Sequence, residues 1–102
     1  MQHIVPHFWF DTQAKEATEF YVTLFADSGV MSVTTISGTP SGDSDIVSFC
    51  LAGQEFMAIS AGPYFKLNPA ISMFVTFDTE AEIQEVWSKL VDGGTVMMAY
   101  DT

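Results

Sequence analysis

The chain has 102 residues, of which 48% are hydrophobic, and its formal net charge is −10, with only three lysine or arginine residues. This acidity argues against nucleic acid or an anionic membrane surface as a partner, because both need a basic patch. No apolar run is long enough to span a bilayer and no signal peptide is recognisable, so we expect a cytoplasmic protein.

The first part of the chain has the pattern of a strand, a helix and three further strands. An apolar and aromatic run over residues 3–10 predicts the first strand, and Pro6 within it favours the edge of a sheet or a point where no ladder hydrogen bond is needed. Asp11 is a suitable N-cap for a helix over residues 12–25, whose apolar side chains recur at steps of three and four. The other three predicted strands cover residues 30–37, 46–52 and 55–61, with a loop over residues 38–44. Residues 53–54 have the spacing of a two-residue hairpin turn.

The second part of the chain repeats the opening of the first. Phe10-Asp11-Thr12-Gln13-Ala14 matches Phe77-Asp78-Thr79-Glu80-Ala81. Residues 71–77 predict a fifth strand, and Thr79 with Glu82 predicts a capping box at the start of a second helix. Residues 93–94, both glycine, end that helix, and residues 95–99 predict a sixth strand.

These elements predict an α+β fold made of paired βαβββ modules, with the helices on one face of a mixed or antiparallel sheet. The chain forms one domain over residues 1–102. Its first module covers about residues 1–66, and its second, about residues 67–102, is cut short after βαβ. We therefore expect a duplicated fold that ends early, whose bare apolar last strand is covered by a second subunit or by residues beyond Thr102.

Alternation along the paired strands predicts one side that carries the helices and one mixed aromatic and polar side. The first side collects Ile4, Pro6, Phe8 and Phe10, and Ile71, Met73, Val75 and Phe77. The mixed side supplies the candidate ligand-binding residues Trp9, Ser72, Phe74 and Thr76, and the loop after the fourth strand adds Tyr64 and Phe65. Such a surface is typical of a small-molecule site, although a solvated sheet face also tolerates serine and threonine. Trp9 and Phe74 favour the first interpretation, with both near a shared cavity.

His7 is the candidate for proton transfer, because imidazole titrates near neutral pH. The alternative is a hydrogen-bonded structural histidine. No pair of histidine and glutamate at strand spacing indicates a metal site, so we expect neither a metal nor a cofactor. Cys50 is the lone cysteine and lies in an apolar run, which predicts a buried thiol and excludes an internal disulfide.

Several stretches resemble one known family. They are residues 6–14, 19–25, 53–58, 62–66, 68–72 and 87–94. The chain is similar in these stretches to the PhnB-like glyoxalase/bleomycin-resistance relatives of the vicinal oxygen chelate superfamily. Many of those relatives are labelled demethylubiquinone methyltransferase. The resemblance implies a homodimer and a cup-shaped cavity.

The resemblance also bears on chemistry. In the metal-dependent members of the superfamily the first strand supplies a histidine to the cup, and the corresponding residue here is Val5. The equivalent position of the second module is Ser72, and the fourth strand offers no glutamate within the cup. These departures argue against divalent-metal chemistry. The methyltransferase label lacks support from a glycine-rich cofactor loop after the first strand.

Three functions remain open on the sequence. In the first interpretation, the protein binds a small, partly hydrophobic or aromatic molecule without transforming it. Alternatively, it is an enzyme of the demethylubiquinone methyltransferase or glyoxalase/dioxygenase type that acts on a quinone-like substrate, with His7 in proton transfer. In the third interpretation the chain is a fragment whose main property is dimerisation.

Overall fold

The computed structural model describes residues 3–40, 42–68, 70–94 and 96. The chain divides into two compact units, Met1–Ala70 and Ile71–Thr102. The first unit contains β1 (His7–Phe10), α1 (Ala14–Tyr21), β2 (Gly29–Thr39), β3 (Gly42–Leu51) and β4 (Gln54–Ser60), and the second contains α2 (Glu80–Val91). One sheet with two helices confirms the predicted α+β class, and a single domain over residues 1–102 stays a prediction.

The four strands of the first unit form one sheet in the order β1-β4-β3-β2. The neighbours β2 and β3, and β3 and β4, are antiparallel, whereas β1 lies parallel to β4. Strands joined in parallel need a long crossover connection, and here α1, β2 and β3 separate the two. Among the described strands β1, which Pro6 directly precedes, stands at one end of the order, in agreement with the edge position that Pro6 favoured. Within the described residues, neither helix is long and apolar enough to cross a membrane.

The core of the first unit lies between the sheet and α1. Its buried cluster consists of Ala14, Val47, Phe49, Phe56 and Ala58. Phe8 and Phe10 of β1 pack against this cluster, which confirms their predicted place on the helix-facing side. The ring of Phe56 stacks on Phe8 and Phe49, at centroid distances of 6.0 Å and 5.5 Å. Aromatic stacking across three strands therefore fills the centre of the unit.

The first strand begins later than predicted. β1 starts at His7 rather than at residue 3, because the ladder to β4 begins where the carbonyl of Pro6 accepts a hydrogen bond from Met57 N at 2.9 Å. Ile4 precedes this ladder and is 91% exposed. The prediction that Ile4 contributes to the helix-facing side is therefore wrong.

The first helix is shorter than predicted and is capped differently. It runs over Ala14–Tyr21 with Gln13 at the N-cap position, so Asp11 is not the cap. The hydroxyl of Ser60 at the end of β4 accepts a hydrogen bond from Ala14 N at 2.9 Å. A side chain from another strand thus satisfies a backbone donor that a local cap usually satisfies. Thr18, which the apolar stripe did not include, is fully buried.

The connection between β2 and β3 is tighter than the predicted loop over residues 38–44. β2 continues to Thr39, which pairs with Gly42 at the start of β3. Gly38 and Gly42 have φ angles of 74° and 89°, a left-handed conformation that glycine adopts without a steric penalty. These glycines let the two strands stay paired close to the turn. The composition alone had predicted an unpaired loop there.

The turn between β3 and β4 centres on Ala52 and Gly53, one residue earlier than the predicted pair of Gly53 and Gln54. Leu51 pairs with Gln54, which leaves Ala52 and Gly53 as the central residues. Their φ angles are 49° and 83°, and a type I′ turn requires positive values at both positions. The backbone N–H of Gly53 donates to the carbonyl of Asp27 at 3.1 Å, and this tertiary bond holds the observed register.

Cys50 is half-buried rather than fully buried as expected. It follows the buried Phe49 on β3, so alternation places it on the opposite side of the sheet from the core. Its thiol lies 3.6 Å from the carbonyl oxygen of Asp27.

The helix of the second unit is capped as predicted. The side-chain oxygen of Thr79 accepts a hydrogen bond from Glu82 N at 3.3 Å, and the Thr79 hydroxyl donates to the Glu82 carboxylate at 3.0 Å. Gly93 follows the helix with a φ of 84°, the left-handed conformation expected of a glycine that ends a helix. Local signals alone were sufficient for both ends of α2.

Residues 71–77 do not form the predicted fifth strand. They belong to no helix or strand, and Ile71 and Phe74 are 80% and 92% exposed. An apolar run becomes a strand only when its backbone finds a ladder partner, and no described strand pairs with this one. The predicted sixth strand, residues 95–99, lies outside the described residues apart from Val96.

We expect the substitution Ala52→Asn to stabilise the protein. A left-handed alanine costs about 1 kcal/mol, asparagine tolerates this conformation better, and asparagine followed by glycine is a favoured type I′ pair. The free energy of unfolding, measured with urea, should rise by about 0.5–1 kcal/mol. Ala26→Asn is the control, because Ala26 is exposed and its φ is not positive. An equal gain in both variants would contradict the turn assignment.

Candidate functional site

Trp9 is the most firmly oriented of the predicted ligand-binding residues. It lies on β1, between the two core residues Phe8 and Phe10, so its side chain is on the opposite side of the sheet from α1. Its indole Nε1–H donates a hydrogen bond to the carbonyl of Gly62 at 2.8 Å. Because the indole has no other polar atom, its remaining surface is available only for apolar and aromatic contacts.

Phe65 packs against Trp9, as expected if both contribute to one site. The two ring centroids are 5.0 Å apart and the ring planes are nearly perpendicular, at 87°. Edge-to-face packing of this kind is a preferred arrangement of aromatic pairs. The sequence placed both residues in the site, and the structure brings them into contact.

The turn that brings Phe65 to Trp9 depends on Gly62. This residue has a φ of 97°, in the left-handed region that favours glycine. Its N–H donates to the carbonyl of Asp11 at 3.1 Å, while its own carbonyl accepts from Trp9. Gly62 thus connects the end of β4, the end of β1 and the indole. The sequence indicated only a glycine and a proline ending a strand, and did not identify this role.

Trp9 stands at one end of a surface that we call the open face. It comprises the side chains that lie on the side of the sheet away from α1 in the centre of β1, β4 and β3. They are His7, Trp9, Met57, Ile59, Ile46 and Ser48. Trp9 is in register with Ile59, and Ile59 with Ile46, which gives an aromatic and aliphatic row across three strands. All residues of the open face except the exposed His7 are half-buried.

His7, the candidate for proton transfer, lies on the open face in register with Met57. Its side chain is exposed, and the structure gives its imidazole no hydrogen bond to another described residue. Trp9 is two positions further along the same strand and therefore on the same side. The arrangement leaves the imidazole accessible to a molecule that contacts Trp9.

Three of the other predicted site residues belong to a part of the chain that forms no strand. Ser72, Phe74 and Thr76 belong to the second unit and are exposed. Because residues 71–77 form no strand, the alternation that grouped them with Trp9 does not apply to them. A cavity shared by Trp9 and Phe74 stays a prediction.

A polar pocket with a volume of about 340 Å³ is the feature that sequence reasoning missed. It is lined by Asp11, Thr12, Pro40, Asp43, Asp45, Ser60, Gly62, Pro63 and Tyr64. The charged members of this lining are all carboxylates, and one of them, Asp45, accepts a hydrogen bond from the Thr35 hydroxyl at 2.8 Å. Three separate segments contribute to it, so no local pattern could have indicated it. Tyr64 lies here, whereas its neighbour Phe65 contacts Trp9.

The family of the chain follows from comparison with known proteins. A family model described as 3-demethylubiquinone-9 3-methyltransferase matches residues 2–101. The chain belongs to this family. The PhnB protein from Bacillus cereus, whose solved structure carries the same description, is 35% identical with a TM-score of 0.87, over 96% of this chain and 80% of that one. A Staphylococcus aureus protein is 27% identical with a TM-score of 0.47, over 97% of this chain and 77% of that one. No curated protein gives a significant match.

Membership of the 3-demethylubiquinone-9 3-methyltransferase family confirms the predicted PhnB-like resemblance. The name implies a methyl donor as cosubstrate, and a glycine-rich loop after the first strand is one way to bind such a cofactor. Residues 11–13, between β1 and α1, contain no glycine, and the first helical N–H is already bonded to Ser60. A glycine-rich loop lets the backbone approach a cofactor closely, and this connection does not fit that role.

The described residues do not fit a divalent metal either. In the described ranges, 3–40, 42–68, 70–94 and 96, no three or more histidine, cysteine, aspartate or glutamate side chains converge as ligands. Val5, the position expected to supply a histidine, has only a hydrocarbon side chain, and the corresponding Ser72 is a neutral hydroxyl. Neither offers the imidazole or carboxylate that such metals prefer.

We expect the thermal stability of the protein to be independent of divalent metals. A metal present at a hundred times its dissociation constant would add about 2.7 kcal/mol, which corresponds to a rise of roughly 10–20 °C in melting temperature. Protein treated with EDTA is compared with aliquots that receive Mn²⁺, Ni²⁺ or Zn²⁺, and the midpoints should coincide. A metal-dependent gain of several degrees would show that the protein does bind a divalent metal.

Proposed function

We propose that this protein binds a small, planar, partly hydrophobic or aromatic molecule on the open face of its sheet, without a divalent metal. The observation that carries the proposal is the environment of Trp9. Its only polar atom is bonded to Gly62, and its ring continues into the aliphatic row of Ile59 and Ile46. A quinone-like ring, which is the class of compound that the family description implies, has the shape and polarity that suit this surface.

The energetics of the open face favour an apolar ligand over an anionic one. Burial of apolar surface contributes about 25 cal/mol per Å², so a contact of roughly 100 Å² supplies about 2.5 kcal/mol. The six residues of the open face carry no carboxylate, although the chain has a net charge of −10. Repulsion by the remaining carboxylates disfavours an anionic ligand more than a neutral one.

The test is binding of duroquinone, a small uncharged quinone, followed through Trp9. The chain has two tryptophans, so Trp87→Phe leaves Trp9 as the single tryptophan, whose emission is excited selectively over that of tyrosine. Titration of this variant should quench its emission with a saturable dependence on duroquinone. Trp9→Leu in the otherwise natural chain should weaken binding, measured by calorimetry, at least fivefold, because it removes the aromatic contact.

Phe20→Leu is the matched control for the loss of an aromatic ring. Phe20 is 42% exposed and lies on α1, away from the open face, with its ring against Tyr21. Its replacement should leave duroquinone binding unchanged. Linear, non-saturable quenching, or an equal loss of affinity in both variants, would show that the open face is not the binding site.

A second candidate function is catalysis on a quinone-like substrate, with His7 in proton transfer. The observation that favours it is the position of His7, exposed on the same face as Trp9 and two residues away. An accessible imidazole can accept or donate a proton at neutral pH. The family name refers to an enzyme acting on a demethylated ubiquinone, which is a compound of this class.

Incubation with the reduced form of duroquinone separates the two candidates. In methyl transfer from an added sulfonium methyl donor, without oxygen present, a phenol oxygen of the compound takes the methyl group, the donor leaves as a thioether, and His7 accepts the phenol proton. The chain should then form the methyl ether, and His7→Gln should slow its formation about a hundredfold or more while leaving binding in place. Mass spectrometry of the recovered compound measures the conversion. Complete recovery of the compound from both proteins would exclude catalysis on it and leave binding alone.

A further inference from the structure

The segment that follows β4 differs in its anchoring from the segment before it. Up to Gly62 the backbone is held to β1, since Ala61 N donates to the carbonyl of Phe10 at 2.9 Å and Gly62 N to that of Asp11 at 3.1 Å. Residues 63–67, which we call the aromatic strap, contain a turn at residues 63–64 and pair with no described strand. Beyond its anchored end at Gly62 the strap is therefore held by side-chain contacts rather than by a strand ladder.

The aromatic strap carries an unusual amount of exposed apolar surface. Tyr64 and Phe65 are each 65% exposed, and Leu67 is 58% exposed. Among the described residues, Phe65 is the strap residue whose ring contacts the open face, and it contacts Trp9. A single edge-to-face contact is weak enough to break and reform at equilibrium.

The two rings differ in their freedom to move. Trp9 is fixed by its place on β1 and by the hydrogen bond of its Nε1 to Gly62. Phe65 has neither constraint. The centroid separation of 5.0 Å leaves no space for a third ring between the two, because aromatic rings pack with centroids about 4.5–7 Å apart. A planar molecule that packs on this side of Trp9 must therefore displace Phe65.

We propose that Phe65 is a displaceable cover of Trp9, which occupies in the free protein the place that the ring of an aromatic ligand takes. This inference rests on the proposed function, and it adds a means of selection. A planar conjugated ligand, aromatic or quinone-like, replaces the lost ring contact with another planar contact, whereas an aliphatic ligand of similar size does not. The cover therefore favours planar conjugated ligands over aliphatic ones.

The test compares Phe65→Ala with Leu67→Ala, both in the Trp87→Phe background. Leu67 is a matched control, because it lies on the same strap with similar exposure and contributes no ring to Trp9. Without ligand, Phe65→Ala should make Trp9 emission clearly more sensitive to acrylamide, while Leu67→Ala should not. Unchanged acrylamide quenching in Phe65→Ala would overturn the cover whatever the ligand does.

Duroquinone titration then tests displacement. Removal of an internal competitor should tighten duroquinone binding about threefold to tenfold in Phe65→Ala, the range that corresponds to one aromatic pair, and leave Leu67→Ala unchanged. Unchanged or weaker binding in Phe65→Ala would overturn the proposal, since Phe65 would then be a bystander or a wall of the site. If duroquinone binds to none of the variants, the proposed function is refuted, and so is displacement of Phe65 by a ligand. The acrylamide experiment would still decide whether Phe65 covers Trp9 in the free protein.

Discussion

The parallel pairing of β1 with β4 is the interaction on which the first unit depends. It joins His7–Phe10 to the strand that ends at Ser60, across α1 and two intervening strands. Hydrogen bonds extend the pairing beyond both ends of β1, from Met57 to Pro6 and from Gly62 to Asp11. Closing so long a loop costs chain entropy, which the ladder and the aromatic core together offset.

This pairing also decides which side chains become core and which remain accessible. Phe8 and Phe10 join the buried cluster beneath α1, and Trp9 between them is left on the open face. A shift of one residue in register would exchange the two sets, because successive side chains of a strand alternate between faces. The bond from Trp9 to Gly62 and the bond from Ala14 to Ser60 both use the end of β4, so the indole and the helix start are positioned from one place.

The polar pocket and the open face of the first unit differ in charge. The polar pocket at the end of β4 is lined by three aspartates, whereas the open face has a neutral, largely apolar row that starts at Trp9. Neutral planar molecules suit the second surface and gain little from the first. The two neighbours Tyr64 and Phe65 divide between these surfaces, since Tyr64 lines the pocket and the ring of Phe65 packs on Trp9.

The sequence by itself determined the features that depend on local pattern. Composition, strand alternation and the Thr79 cap predicted the α+β class, the helix-facing role of Phe8 and Phe10, and the start of α2. Only tertiary structure decided the rest. Ser60 replaced Asp11 as the partner at the start of α1, and the bond to Asp27 selected the turn register at Ala52. Residues 71–77 have the composition of a strand but no ladder partner among the described strands, because pairing is a property of two segments and composition of one. The same reason explains why Trp9 could be named as a site residue from its strand, while its partner Gly62 and the polar pocket could not.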